Sequence, residues 1–312
     1  MGYTELLAEI DKKDKGGGPM SDGVISPERR RAIRIKRSEL LNTRFDEIDR
    51  PAVKIAEDID EYKQAFSLVH DTYLRMGYLS TPKPHGMHFG IHTLLPETVL
   101  FIAKSYLTVI STLAEIFDTE LFGLPMDELY RKELDGLRSE GRKIVELSLL
   151  VTPANFRWNN VFMYINKVMY QYSIHCGVND LCIAVNPKHA SFYKLILLFE
   201  DFGPERYYPK VNAPAVALRL NMDSIEERLK SAYDGLDFDS NVYAYLHGEA
   251  DLRVSEKKSA VLAREDTPEN GNSYWTPENV KYFLLLEKSI PDGLNRGQKE
   301  FLLSSYPGLT SL

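Results

Sequence analysis

Cysteine is scarce in this chain of 312 residues, where Cys176 and Cys182 are the only two. One falls near a helix end and the other in an apolar strand pattern, so reduced packing thiols are expected rather than a disulfide framework. Long apolar runs are also lacking. Stretches such as Leu195 to Phe199 and Phe283 to Leu286 stay far below the ~20 residues a membrane-spanning helix needs. The first residues, Met1 to Glu5, show no charged leader followed by an apolar stretch, which leads to the expectation of a cytoplasmic protein. There is no basic excess either. With 38 Lys and Arg against 45 Asp and Glu, the formal charge is −7, the wrong sign for a phosphate-attracting surface, so nucleic-acid binding is not expected. Residues 28–37 are a local exception with six basic side chains. They read as a solvated helix face, or else as a patch for an acidic protein or anionic membrane surface. Apolar residues, by contrast, make up 44% of the chain, enough to bury a sizeable core.

The periodicities divide the chain into three parts. Residues 1–48 read as an extension, because Gly16-Gly17-Gly18-Pro19 interrupts regular structure. Residues 49–223 alternate strand and helix patterns. Val53 and Ile55 mark a strand, and Tyr62, Ala65, Phe66, Val69 and Tyr73 recur at helical spacing. The stretch from Ser80 to Pro96 reads as a long loop of binding type. Strands Val99 to Lys104 and Leu107 to Leu113 form a predicted hairpin. A helix follows Gly123-Leu124-Pro125-Met126, then come a strand from Lys143 to Val151, a helix capped by Asn155, a strand Leu181 to Val185, a helix Ala190 to Phe202 and a strand Val216 to Leu220. The order β-α-β-β-α-β-α-β-α-β predicts an α/β (α+β) protein with a mixed sheet covered by helices. Residues 224–312 read as a mainly helical extension.

Within this pattern Glu146 is read as the one acid inside the strands between Gly141 and Tyr193. Strict alternation puts Glu146, Ser148 and Leu150 on one face and Val145, Leu147 and Leu149 on the other. A buried carboxylate is costly unless paired or functional. The structural alternative is a pairing with Arg75 or Arg142. His85, His88 and His92 have spacing that suits a metal, but Gly86 and Gly90 break any helix face and no Cys, Asp or Glu joins the run. Polar loop residues near substrate are the expectation there, and no metal site is predicted.

The element order, with Glu146 on the fourth strand and Asn186-x-x-His189-x-x-Phe192-Tyr193 after the fifth, resembles the GCN5-related N-acyltransferase fold. Tyr73-Leu74-Arg75-Met76-Gly77-Tyr78 followed by Glu146-Leu147-Ser148 is similar to acyl-homoserine lactone autoinducer synthases, although Leu149 stands where those carry arginine. Leu95-Pro96-Glu97-Thr98, Gly123 to Tyr130, Leu137-Arg138, Gly141-Arg142, Thr276-Pro277-Glu278 and Tyr306-Pro307 most resemble N-acyl amino acid synthases of the FeeM type. That resemblance implies transfer of a long-chain acyl group from acyl carrier protein to the amine of an amino acid. It implies no tightly bound cofactor, the donor being the acyl-phosphopantetheine of the carrier. Coenzyme A-dependent relatives hold a pyrophosphate with a glycine-rich turn at the aligned helix start. Here Trp158, Asn160 and Phe162 stand at the glycine positions, which favours a carrier-borne donor whose single phosphate Arg157 and the helix N-terminus would hold.

The roles implied are a general base at Glu146, an orienting hydroxyl at Ser148 and a thiolate-protonating phenol at Tyr193. Backbone N–H groups near Leu149 and Leu150 would receive the oxyanion. Arg75 and Tyr78 would grip the acceptor carboxylate, and Trp158 and Phe162 would line the acyl slot. Arg157, Lys188 and Lys194 would form the landing surface for an acidic carrier, with Arg131, Lys132, Arg142 and Lys143 as alternatives. An autoinducer synthase using S-adenosylmethionine and a non-catalytic carrier- or lipid-binding module are the competing readings.

Overall fold

The computed structural model describes residues 27–42, 48–152, 159–248 and 274–309. Seven strands form one sheet: β1 (Pro51–Ile55), β2 (Val99–Ser105), β3 (Thr108–Phe117), β4 (Ile144–Val151), β5 (Asp180–Val185), β6 (Glu200–Tyr208) and β7 (Ala213–Asn221). Their spatial order is β1-β2-β3-β4-β5-β7-β6. Every neighbouring pair is antiparallel except β4 and β5, which run parallel.

Two apolar clusters sandwich this sheet. On one face lie α1 (Pro27–Ser38), α4 (Asn159–His175), α5 (Pro187–Ile196), α6 (Met222–Tyr233) and α7 (Val242–His247), with Ile35, Phe162, Phe192, Leu229 and Val242 among the buried side chains. On the other lie α2 (Ile59–Arg75), α3 (Asp127–Ser139), α8 (Pro277–Leu286), the short α9 (Ser289–Asp292) and α10 (Arg296–Ser305), contributing Phe66, Leu134, Phe283 and Leu302. The C-terminal helices therefore complete a core. Trp275 stacks on Tyr62 at 3.9 Å, and the Tyr306 hydroxyl donates to the Leu94 carbonyl at 2.8 Å. The basic run lies along α1, which packs rather than floats: Ile35 is fully buried, and Arg31 donates to the carbonyls of Leu195 and Ala232.

Three features depart from the sequence reading. First, Glu200–Tyr208 is a strand, whereas a helix running on to Phe202 was expected. It lies at the sheet edge, so it lacks a two-sided apolar pattern, and its Gly203 and Pro204 are tolerated where a central strand would exclude them. Second, β5 begins one residue early, at Asp180, so Glu146 is not the only strand acid; Asp180 is fully buried and ion-paired to both Arg142 and Arg219. Third, β4 carries a bulge. Thr112 and Ala114 of β3 oppose Val151 and Ser148 of β4, which leaves one residue more on β4, and Leu149 takes φ +51°. An extra residue reverses the alternation beyond it. Leu149 and Val151 accordingly join the cluster that Ile144 occupies, while Leu150 joins Val145 and Leu147 on the opposite face. Asn155, the expected helix cap, lies outside the described residues.

Candidate active site

The site begins where two strands part. β4 and β5 are in register only at Ile144 with Asp180, Val145 with Leu181 and Glu146 with Cys182. Beyond Glu146 the pairing stops, and at the bulge neither Leu149 nor Leu150 has a partner on β3. A cavity of about 740 Å³ occupies the gap and is lined by both strands. Glu146, Ser148, Leu149, Leu150, Tyr193, Arg75 and Tyr78 all line it. Phe162 does not: it is fully buried behind the sheet with its ring edge-on to Phe192. Arg157 and Trp158 lie outside the described residues.

Glu146 is 5% exposed. Its Oε2 accepts the Met126 backbone N–H at 2.8 Å, at the start of α3 where that amide has no partner inside the helix. Neither structural pairing considered for it forms. Arg142 is held by Asp180 and Asp223, and Arg75 bonds only Thr72 Oγ1 at 3.4 Å among the described residues. Burial raises the Glu146 pKa to about 8, nearby Asp127 adds to the rise, and the Met126 N–H only partly opposes it. The result is a carboxyl that exchanges its proton near neutral pH, on the cavity wall, at the end of the paired strand. Asp180 shows the contrast: a buried acid clamped by two guanidinium groups is a strut.

Other elements close around this carboxyl. At the end of α2 the Gly77 N–H reaches the Leu74 carbonyl and the Tyr78 N–H reaches the Tyr73 carbonyl, with Gly77 at φ +72°, a Schellman cap. That turn folds Tyr78 back edge-on to Tyr73 at 5.6 Å between ring centroids and leaves Arg75 at the rim. Burial raises the Tyr73 pKa to about 12, with smaller contributions from Tyr78 and Glu146. Tyr208, on the strand missed in the sequence, lines the same wall. Burial raises its pKa too. On the far side α5 starts at Asn186, whose side chain accepts the Lys188 N–H at 3.2 Å, and projects Tyr193 into the cavity between Phe192 and Phe199. Lys188 and Lys194 are exposed on this helix, Lys194 in an ion pair with Asp201.

The three loop histidines do not converge. His85 meets Glu287 at 3.3 Å, His92 Nε2 meets the Phe122 carbonyl at 3.1 Å, and His88 lies against the Tyr73 ring at 4.9 Å. No cluster of three metal-binding side chains occurs among the described residues. His88 and His92 line the cavity instead. His88 is lowered to about pKa 4, by burial first and then by Lys83 and His70.

Comparisons with known proteins agree with this architecture. The family model described as N-acyl amino acid synthase FeeM matches residues 64–221, just over half of the chain. Among solved structures, FeeM, an N-acyl amino acid synthase from uncultured soil microbes, is 28% identical with a TM-score of 0.51, covering 57% of this chain and 93% of its own. The acyl-homoserine lactone synthase LasI matches at 16% identity and a TM-score of 0.44, covering 55% of this chain and 90% of its own. A comparison with curated proteins finds no match. The matched region runs from α2 through the parted strands to β7, and with that span the chain is an acyltransferase that belongs to the FeeM family of N-acyl amino acid synthases.

Proposed function

We propose that this protein joins a long-chain acyl group, delivered as a thioester on acyl carrier protein, to the amine of an amino acid. The observation that carries the reading is Glu146: a buried carboxyl without an ion-pair partner among the described residues, at the point where β4 and β5 separate, lining a cavity large enough for a thioester arm. The acceptor amine loses a proton to Glu146, directly or through water, and its lone pair attacks the thioester carbonyl carbon. Negative charge develops on the carbonyl oxygen, which backbone N–H groups at the Leu149 bulge, where neither Leu149 nor Leu150 has a register partner on β3, would receive. Collapse breaks the C–S bond, and the Tyr193 hydroxyl protonates the departing thiolate. Ser148 orients the amine, and Arg75 with Tyr78 holds the acceptor carboxylate at the rim.

The apolar lining from Leu113, Leu147, Leu150, Val151 and Ile183 suits an alkyl chain. At roughly 0.8 kcal/mol per buried CH₂, chain length outweighs any one polar contact in donor choice. Exposed Lys188 and Lys194 on α5 supply basic side chains for docking an acidic carrier. The direct test is to incubate the protein with acyl-loaded carrier, or with acyl-coenzyme A, and a mixture of amino acids, and to detect new amides by mass spectrometry. Product from the carrier and not from coenzyme A is expected; no amide at any chain length contradicts the proposal.

A further inference from the structure

The cavity wall carries two further polar side chains that the acyl-transfer chemistry does not use. Asn166 of α4 is 4% exposed, and both it and Thr152, which follows β4, line the cavity. Asn166 Nδ2 donates to the Phe162 carbonyl at 2.7 Å. A carbonyl only accepts, so the orientation of the amide is fixed. Oδ1 is left without a hydrogen-bond partner among the described residues. The polarity of Thr152 follows from its neighbour. Ser111 Oγ lies 2.8 Å from the Val151 carbonyl and 2.9 Å from Thr152 Oγ1. Ser111 has one proton and the carbonyl has none to give, so that proton goes to Val151 and Thr152 donates to Ser111. Thr152 Oγ1 then offers only lone pairs. Two neutral oxygens that can only accept therefore belong to residues of a cavity wall that also includes Leu113, Leu150, Val151 and Ile183.

We propose that Asn166, seconded by Thr152, is a specificity-determining acceptor for a hydrogen-bond donor carried on the thioester substrate. This rests on the acyl-thioester reading of the cavity and adds to it a chemical requirement. Two groups of such a substrate satisfy it: an amide N–H of the pantetheine arm, or a hydroxyl on the acyl chain. A plain hydrocarbon laid across Asn166 would strip water from Oδ1 and return nothing, whereas either donor would satisfy it. Carboxylate, phosphate and carbonyl groups are disfavoured there, because they bring further acceptors.

The test is affinity, read by calorimetric titration of the full chain with dodecanoyl-, β-hydroxydodecanoyl- and ω-hydroxydodecanoyl-pantetheine, for the wild type, Asn166→Leu and Thr152→Val. Loss of roughly tenfold to a hundredfold in Asn166→Leu is expected, with a smaller loss in Thr152→Val. If the loss is confined to one hydroxylated thioester, the chain hydroxyl is the donor. If all three thioesters weaken alike, the arm amide is. Unchanged affinity for all three in both folded variants overturns the proposal. Binding is measured without turnover, so a wild type that binds these thioesters yet forms no amide counts against the acyl-transfer reading and not against Asn166.

Discussion

Two buried carboxyls behave alike electrostatically and differ in access. Glu146 lines the cavity; Glu115 of β3 is fully buried on the opposite face, accepting, among the described residues, only the Ser173 hydroxyl at 2.6 Å. Burial raises both to a pKa of about 8. Each folded-state pKa lies above its unfolded value near 4.5, so the native state keeps protons that the unfolded chain releases. Stability is then highest below the unfolded pKa and falls as pH rises toward about 8, by at most ~1.4 kcal/mol per pH unit for each group. Thermal melts between pH 5 and 8.5 should show this decline. Glu115→Gln should flatten it and raise the melting temperature at the alkaline end; an unchanged slope would show that Glu115 does not titrate there. Glu146 was legible because it is an acid amid Ile144, Val145, Leu147 and Leu149. Asp180 was not, because it opens its strand directly after the loop residues Gly177-Val178-Asn179 and its two arginine partners come from distant positions. Asn166 gave no sign at all, since only the folded chain shows which polar groups are left facing a void, whereas His88 was marked by the histidine spacing of its loop and does line the cavity.

At the level of elements, the site depends on two pieces of irregular backbone. The Leu149 bulge separates β4 from its partners, and the Gly77 turn places Arg75 and Tyr78. A side chain at Gly77 would meet no atom within 4 Å, so the cost of Gly77→Ala is conformational, about 1 kcal/mol. The melting temperature should drop a few degrees and the KM for the acceptor should rise more than kcat falls. An equal change in both would remove Gly77 from acceptor positioning. Removing an arginine from the Asp180 clamp is more severe. Arg142→Ala leaves a fully buried carboxylate with one partner and should cost about 3–5 kcal/mol, measurable by denaturant unfolding; a loss below 1 kcal/mol would show that the clamp contributes little. Most elements were readable from periodicity, β1 to β5 included. The edge strand β6 was not, because its burial is shallow and irregular, and with it Tyr208 was missed. The bulge also escaped, since period-two alternation contains no signal for an inserted residue.

Across the whole molecule, the C-terminal helices are part of the fold that carries the site. Trp275, Phe283, Leu302 and Tyr306 share one buried cluster with Phe66 of α2 and Ile116 of β3. A chain ending at Asn272 should therefore fail to fold, seen as loss of cooperative melting and of near-ultraviolet dichroism; a cooperatively folded truncation would restore the view of this segment as an appendage. The sequence pattern marked these helices but not their docking, because an amphipathic helix reveals its apolar face and not what covers it.

Central to the proposed reaction is Glu146 as the group that takes the amine's proton. Initial rates of N-acyl amino acid formation against pH, for the wild type and Glu146→Gln with thioester binding checked in parallel, address it directly. The wild-type rate should climb through about pH 8 and level off as the base ionises. The variant should bind thioester normally but turn over roughly two to four orders of magnitude more slowly, without that ionisation in its profile. A variant with near wild-type rates and the same pH profile would contradict the assignment.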